Sequence, residues 1–221
     1  ECASLPLPQH FETGSRPLII DFDQRTPRER YIQTIQTLIP RPIAWVLSEN
    51  ENGSFNLAPF SFFTAVCADP ALVMLSLGHK PDGNLKDTRT NLESRGHCVI
   101  HIPDRSMLEA MNASSATLDA GESEIDKLGL KLTDFDDFRL PRLADAKVAY
   151  GCSLYRIEEI GAGPQSLIFA EIQRLYIDDA ILEPRDDDRI KVDTMKLDPV
   201  ARLGANEYAF LHEVTHLRRP D

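Results

Sequence analysis

Arg41-Pro42-Ile43-Ala44-Trp45-Val46-Leu47-Ser48, the turn signal Asn52-Gly53, and Asn56-Leu57-Ala58-Pro59-Phe60-Ser61-Phe62-Phe63 form the stretch whose reading decides the fold. Ile43 to Leu47 is an unbroken apolar run after a proline, which reads as a strand covered on both faces. Asn-Gly favours the tight primed turn of a hairpin. Pro59 removes a ladder donor from the returning arm, so this arm is expected to be an edge strand or a bulge. Its amides and hydroxyls would then face something other than a neighbouring strand.

Such a patch suits a flat heterocycle with an anionic tail, which needs apolar walls, a few fixed donors and an anion cradle. The expected walls are Ala44, Trp45, Phe60, Phe62 and Phe63, and the expected polar groups are Ser48, Asn56 and Ser61. Taken singly, each of these aromatics is as easily a core residue. Downstream, Asp82-Gly83-Asn84-Leu85-Lys86-Asp87-Thr88-Arg89-Thr90-Asn91-Leu92-Glu93-Ser94-Arg95-Gly96 reads as a short helix. Leu85, Thr88 or Arg89, and Leu92 repeat at helical spacing, Asn84 or Asp87 can cap the start, and Gly96 suits a left-handed stop. The start of a helix offers unpaired amides and partial positive charge to a phosphate, and Lys86 with the Thr88 hydroxyl would complete the grip. Asp87 argues for an ordinary capped surface helix unless its carboxylate is turned away from the anion.

The order of these motifs resembles that of the flavin reductase-like proteins with an FMN-binding split barrel. The resemblance rests on Arg-Pro-Ile-Ala-Trp-Val at 41 to 46, Asn-Leu-Ala-Pro-Phe-Ser-Phe-Phe at 56 to 63, Asp69-Pro70, Lys86-Asp87-Thr88 with Asn91, and Val200-Ala201-Arg202-Leu203-Gly204. It implies a mainly β fold, an antiparallel Greek-key split barrel with a few peripheral helices. It further implies that Ala44, Trp45, Val46, Ser48, Asn56, Ala58, Pro59, Ser61, Phe62 and Phe63 line the ring and ribityl chain of FMN, and that Lys86, Thr88 and Asn91 serve the phosphate. The cofactor would lie at a homodimer interface. The implied activity is NAD(P)H-dependent reduction of flavin, with electrons passed to free flavin or another acceptor. The alternatives are an FMN-containing electron carrier, an oxygenase-like flavoprotein, or a barrel that binds without catalysis. Leu47-Ser48 stands where many relatives have Ser-Thr, and Ala170 to Asp179 lacks the glycine-aspartate-histidine segment associated with nicotinamide. Arg202, beside the permissive Gly204, could anchor a phosphate or a flavin oxygen by paired donors, or form a surface salt bridge. Tyr208 could stack on the ring.

The whole chain fits this reading. Its 221 residues, 42% of them hydrophobic, suffice for one large domain, expected as an extended arm over 1–30 and a barrel over 31–221. A net charge of −11 disfavours nucleic-acid or anionic-membrane partners. With neither a basic leader nor a long apolar run, a cytoplasmic protein is the default expectation. Cys2, Cys67, Cys98 and Cys152 form no metal or disulfide pattern. Strands are expected at Cys98 to Ile102, Lys147 to Ile157, Gln165 to Asp178 and Tyr208 to Leu217, with helical turns in Ser106 to Ala120 and Glu122 to Leu130. His212-Glu213-Val214-Thr215-His216 matches the H-E-x-x-H zinc pattern, but the β-branched Val214 and Thr215 fit a strand as readily as a helix. Neither a metal site nor an obligatory catalytic side chain is expected. His97 and His101 read as strand-edge and core or surface histidines, Asp186 to Asp188 as a solvated turn, and His79 as a loop residue near the cradle.

Overall fold

The computed structural model describes residues 18–116, 118, 122–163, 165–184 and 189–220. The first 17 residues of the expected arm and the acid run Asp186 to Asp188 lie outside them. The rest of the arm is not wholly extended. A 3-10 turn occupies Phe22–Gln24, and helix α1 begins at Pro27 and runs to Thr37. Thr26 caps it: the Glu29 amide donates to Thr26 Oγ1 and the Thr26 amide donates to Glu29 Oε2, while Pro27 supplies the preset φ of a first helical residue.

The remaining elements are β1 (Arg41–Pro42), β2 (Ala44–Glu49), β3 (Phe55–Phe60), β4 (Phe63–Ala68), β5 (Ala71–Leu77), α2 (Asp87–Arg95), β6 (His97–His101), α3 (Leu108–Ala113), α4 (Glu124–Leu128), β7 (Leu132–Thr133), β8 (Arg142–Leu143), β9 (Val148–Ile160), β10 (Gln165–Ile177), α5 (Thr194–Leu197), β11 (Ala201–Arg202) and β12 (Tyr208–Ala209). The main sheet is antiparallel in the order β3-β2-β6-β9-β10-β5-β4. Irregular register in β9 against β10, and in β4 against β5, bends it. The sheet curls until β3 meets β5 without pairing to it, which makes a barrel split along one seam. Pro59 therefore sits on an edge strand, where a missing donor is tolerated. The hairpin turn is longer than the expected two-residue form: the Asn50 amide donates to Ser54 O and the Gly53 amide to Asn50 O, with Gly53 at φ +82°.

β2 is buried along nearly its whole length, and its alternation explains why. Ala44 and Val46 face the barrel interior with Val73, Leu75, Ile100, Cys152 and Ile168. Trp45 and Leu47 face a second core under α3 and α4, with Leu57, Met111, Ile125, Leu140 and Leu143. β1, β11 and β12 form a separate small antiparallel sheet. The expected last strand is much shorter than Tyr208 to Leu217. Only Tyr208–Ala209 pairs, and His212 to His216 is exposed and in neither helix nor strand. The zinc pattern is therefore without the helical spacing it requires, and no group of residues able to hold a metal occurs among the described residues. Among those residues, too, no helix is long and apolar enough to cross a membrane.

His101 lies opposite Trp45 at the heart of this double core and is wholly buried. The Leu143 amide donates to its Nε2 at 2.9 Å, so Nδ1 carries the proton and donates to Trp45 O at 3.0 Å. Burial pulls the imidazole down to about 4 from 6.5, with the Trp45 carbonyl resisting and Arg142 adding to the drop. Because the folded state prefers the neutral ring, this contribution is complete above pH 6.5 and is lost as pH falls towards 4. Urea titrations should show up to about 3 kcal/mol of stability lost through this group over that interval, and a smaller loss in His101→Gln.

Candidate functional site

Three groups of residues meet at a cavity of about 160 Å³: the edge strand β3, the start of α2, and Ser114, Ser115, Ala116, Leu118 and Glu124 from the end of α3 and the start of α4. β3 contributes Asn56, Ala58, Pro59 and Phe60, the helix start contributes Lys86, Asp87 and Thr88, and the far wall holds Ser114, Ser115 and Glu124. Lys86 occupies the N-cap and makes no side-chain cap, in contrast to the Asn84 or Asp87 cap expected from the sequence. Asn84 is instead taken up in its own loop with Asp82. A helix start without a side-chain cap at a cavity wall is an anion cradle in waiting.

Asp87 does not spoil it. Its Oδ1 lies 2.8 Å from Lys80 Nζ, so the carboxylate is neutralised by a second lysine that also lines the cavity. Thr88 is almost fully buried, and its Oγ1 accepts from Asn56 Nδ2 at 3.0 Å. With the oxygen engaged as acceptor, the hydroxyl proton is left to donate towards the cavity. Glu124, 6% exposed, accepts from the Leu57 amide at 2.8 Å. Burial pushes its carboxyl above the ordinary range, against the pull of the Leu57 amide, and Asp87 adds to the rise.

The expected site residues divide into groups. Asn56, Ala58, Pro59, Lys86 and Thr88 line this cavity. Ser48 and Asn91 stand behind it: Asn91 Nδ2 donates to Ser48 Oγ at 3.1 Å and to Asn50 Oδ1 at 2.8 Å, and Asn56 Nδ2 reaches Ser48 Oγ at 3.3 Å. They position the cradle without facing it. Ala44 and Val46, fully buried in the barrel core, do not line this cavity, and Trp45, buried in the other core, lines a separate hollow of about 200 Å³ with Ser106, Met107 and Leu143. Trp45 still touches the site indirectly, since its Nε1 donates to Ser114 Oγ at 2.8 Å.

Ser61, Phe62 and Phe63 line a second, largely apolar hollow of about 460 Å³ with Leu38, Arg41, Met74 and Leu167. Arg202 joins neither cavity. It pairs across β1 and β11 with Arg41, lies over the Tyr208 ring at 4.6 Å and donates to the Ala205 carbonyl. Tyr208 in turn donates to Asn112. His79 does not line the cavity, and its Nδ1 lies 3.0 Å from Gly83 O, within its own loop. Sequence reasoning missed Lys80, Ser114 and Glu124. Lys80 adjoins the flagged His79, whereas Glu124 comes from 67 residues beyond its partner Leu57 and carries no local signal.

The flavin reductase like domain family matches residues 36–191. An uncharacterised protein of Halalkalibacterium halodurans is 33% identical over 90% of this chain and 94% of its own length. Nitrilotriacetate monooxygenase component B from Bacillus cereus superposes with a TM-score of 0.84 at 29% identity, covering 92% of this chain and all of its own. The 2-nitrobenzoate 2-nitroreductase of Pseudomonas fluorescens gives 0.81 at 28% identity over 92% and 96%.

The amide network behind the cradle should be measurable as stability. Asn91→Ala leaves Asn50 Oδ1 without the Asn91 donor and should cost about 1 to 3 kcal/mol in urea unfolding.

Proposed function

The chain belongs to the flavin reductase-like family, and on that premise we propose that it holds FMN between β3 and the start of α2 and acts as an NAD(P)H-dependent oxidoreductase. Electrons would pass on to free flavin or another small acceptor. The observation that carries this reading is the Asn56 to Thr88 hydrogen bond, which locks an edge strand rich in apolar and amide surface to a helix start that has no side-chain cap. Donor chemistry fits a phosphate: Lys86 brings the uncompensated charge, the Thr88 hydroxyl brings a proton, and Lys80 cancels Asp87 through their ion pair. Ala58, Pro59 and Phe60 supply the neighbouring apolar surface.

When bound, the flavin supplies the hydride and electron chemistry. The protein's work is then to bind, orient and exclude water, and no side-chain acid or base is required of it. Leu38, Ile39 and Val66 remain exposed beside the second hollow, on and near the edge strand β4. A homodimer that covers them, with the cofactor at its interface, is part of the proposal. One observation favours a second reading, an FMN electron carrier or oxygenase-like protein: β10 continues through Glu171 to Ile177 without the histidine that the resemblance associates with nicotinamide.

Anaerobic titration of the purified protein with FMN, then with NADH and NADPH, tests both readings. Bleaching of the flavin's visible absorbance by either nicotinamide is expected; FMN binding without bleaching would select the carrier. Lys86→Ala should weaken FMN by about 1 to 3 kcal/mol, read by fluorescence quenching, and unchanged affinity would remove Lys86 from the site.

A further inference from the structure

The cavity is bipolar, and its negative end, Glu124, feels Lys127 only at a distance. Lys80 is engaged with Asp87, and Lys127, on the same helix as Glu124, is engaged with Glu122. Among the described residues no lysine or arginine forms an ion pair with Glu124. Yet Glu124 is 6% exposed and lines the same wall system as Lys80 and Lys86. One of its oxygens is accounted for by the Leu57 amide. An ionised carboxylate has several acceptor positions and no donor, so the side facing the cavity calls for a hydrogen-bond donor that brings no negative charge with it.

Inorganic phosphate meets both ends less well, because the one hydroxyl its dianion can offer Glu124 is borne by the charged group itself and brings two anions together. It suits Lys80, Lys86 and Thr88 but repels Glu124. A phosphate ester of a polyol does satisfy both, with its anion at the helix start and neutral hydroxyl donors a few bonds away. Resting on the flavin reading above, we propose that Glu124 is a specificity-determining residue that accepts a hydrogen bond from the hydroxylated linker of a bound flavin mononucleotide and rejects anions that lack such a linker. The carboxylate is held in register by the Leu57 amide, one residue from Asn56, which ties the reading group to the strand that also positions Thr88. The site thereby distinguishes a hydroxylated ester from the free phosphate that surrounds it in solution.

Glu124→Gln separates the two effects, because glutamine keeps an acceptor for the Leu57 amide while removing the charge. At pH 8, FMN affinity, read by fluorescence quenching, should fall about tenfold. Inorganic phosphate, read by its competition with FMN, should bind about threefold tighter as the repulsion disappears. Opposite signs are the signature; a merely structural role would weaken both. Glu124→Asp, which keeps the charge but withdraws it by one methylene, should weaken FMN and leave phosphate unchanged, and it serves if the glutamine variant does not fold. Changes of the same sign, or unaltered FMN affinity in both variants, overturn the proposal while leaving the flavin site standing. Failure of the wild type to bind FMN at all overturns the flavin reading and this proposal together.

Discussion

A single hydrogen bond between two buried side chains, Asn56 Nδ2 to Thr88 Oγ1, fixes the relation between hairpin and helix on which the site depends. It spans 32 residues of chain and is supported from behind by Ser48, Asn50 and Asn91. In a low-dielectric setting such a network is costly to leave half made, so the arrangement is close to all or nothing. Moving α2 away from β3 would strand several amide groups at once. The cradle is thus a product of the barrel wall itself and not of a surface loop.

Charge is organised locally against the tendency of the whole molecule. The chain carries a net −11, and its long-range field repels anions. Lys80 and Lys86 are nevertheless gathered at one cavity, one of them spent on silencing Asp87. The sequence makes Asp87 look like an objection to phosphate binding; the ion pair with Lys80 removes the objection. Affinity at such a site comes from short, directed contacts, which selects ligands that can meet each of them.

Much of this was legible in order and type but not in direction. Ile43 to Leu47 read as a doubly covered strand, and from Ala44 onward it is one. Gly96, with φ +77°, ends α2 where a left-handed stop was expected. The same alternation that buries β2 on both faces also sends Trp45 into one core and Ala44 and Val46 into the other, so none of the three lines the cavity at the start of α2. A one-residue difference in facing is invisible to composition, because every residue in the run is apolar. Phe62 and Phe63 were separated from Asn56 for a related reason: the chain leaves the edge strand after Phe60 and enters β4 on the other side of the seam. Lys80 and Glu124 reach the cavity through tertiary contacts that no local pattern records. The zinc-like pattern near the end shows the converse, since spacing without a helix gives no shared face.

Arg41 ties together parts of the chain made at very different times. Its Nη1 donates to Ile35 O at the end of α1, and its Nη2 donates to Leu203 O, 162 residues later. Burial, reinforced by Arg202, pulls its pKa below normal, so the charge depends on these carbonyls for its solvation. During synthesis the guanidinium waits with only its near partners until Leu203 has left the ribosome. Completion of this corner therefore waits on Leu203, and a nascent chain halted before it would leave Arg41 Nη2 without that carbonyl, its solvation resting on the near partners alone.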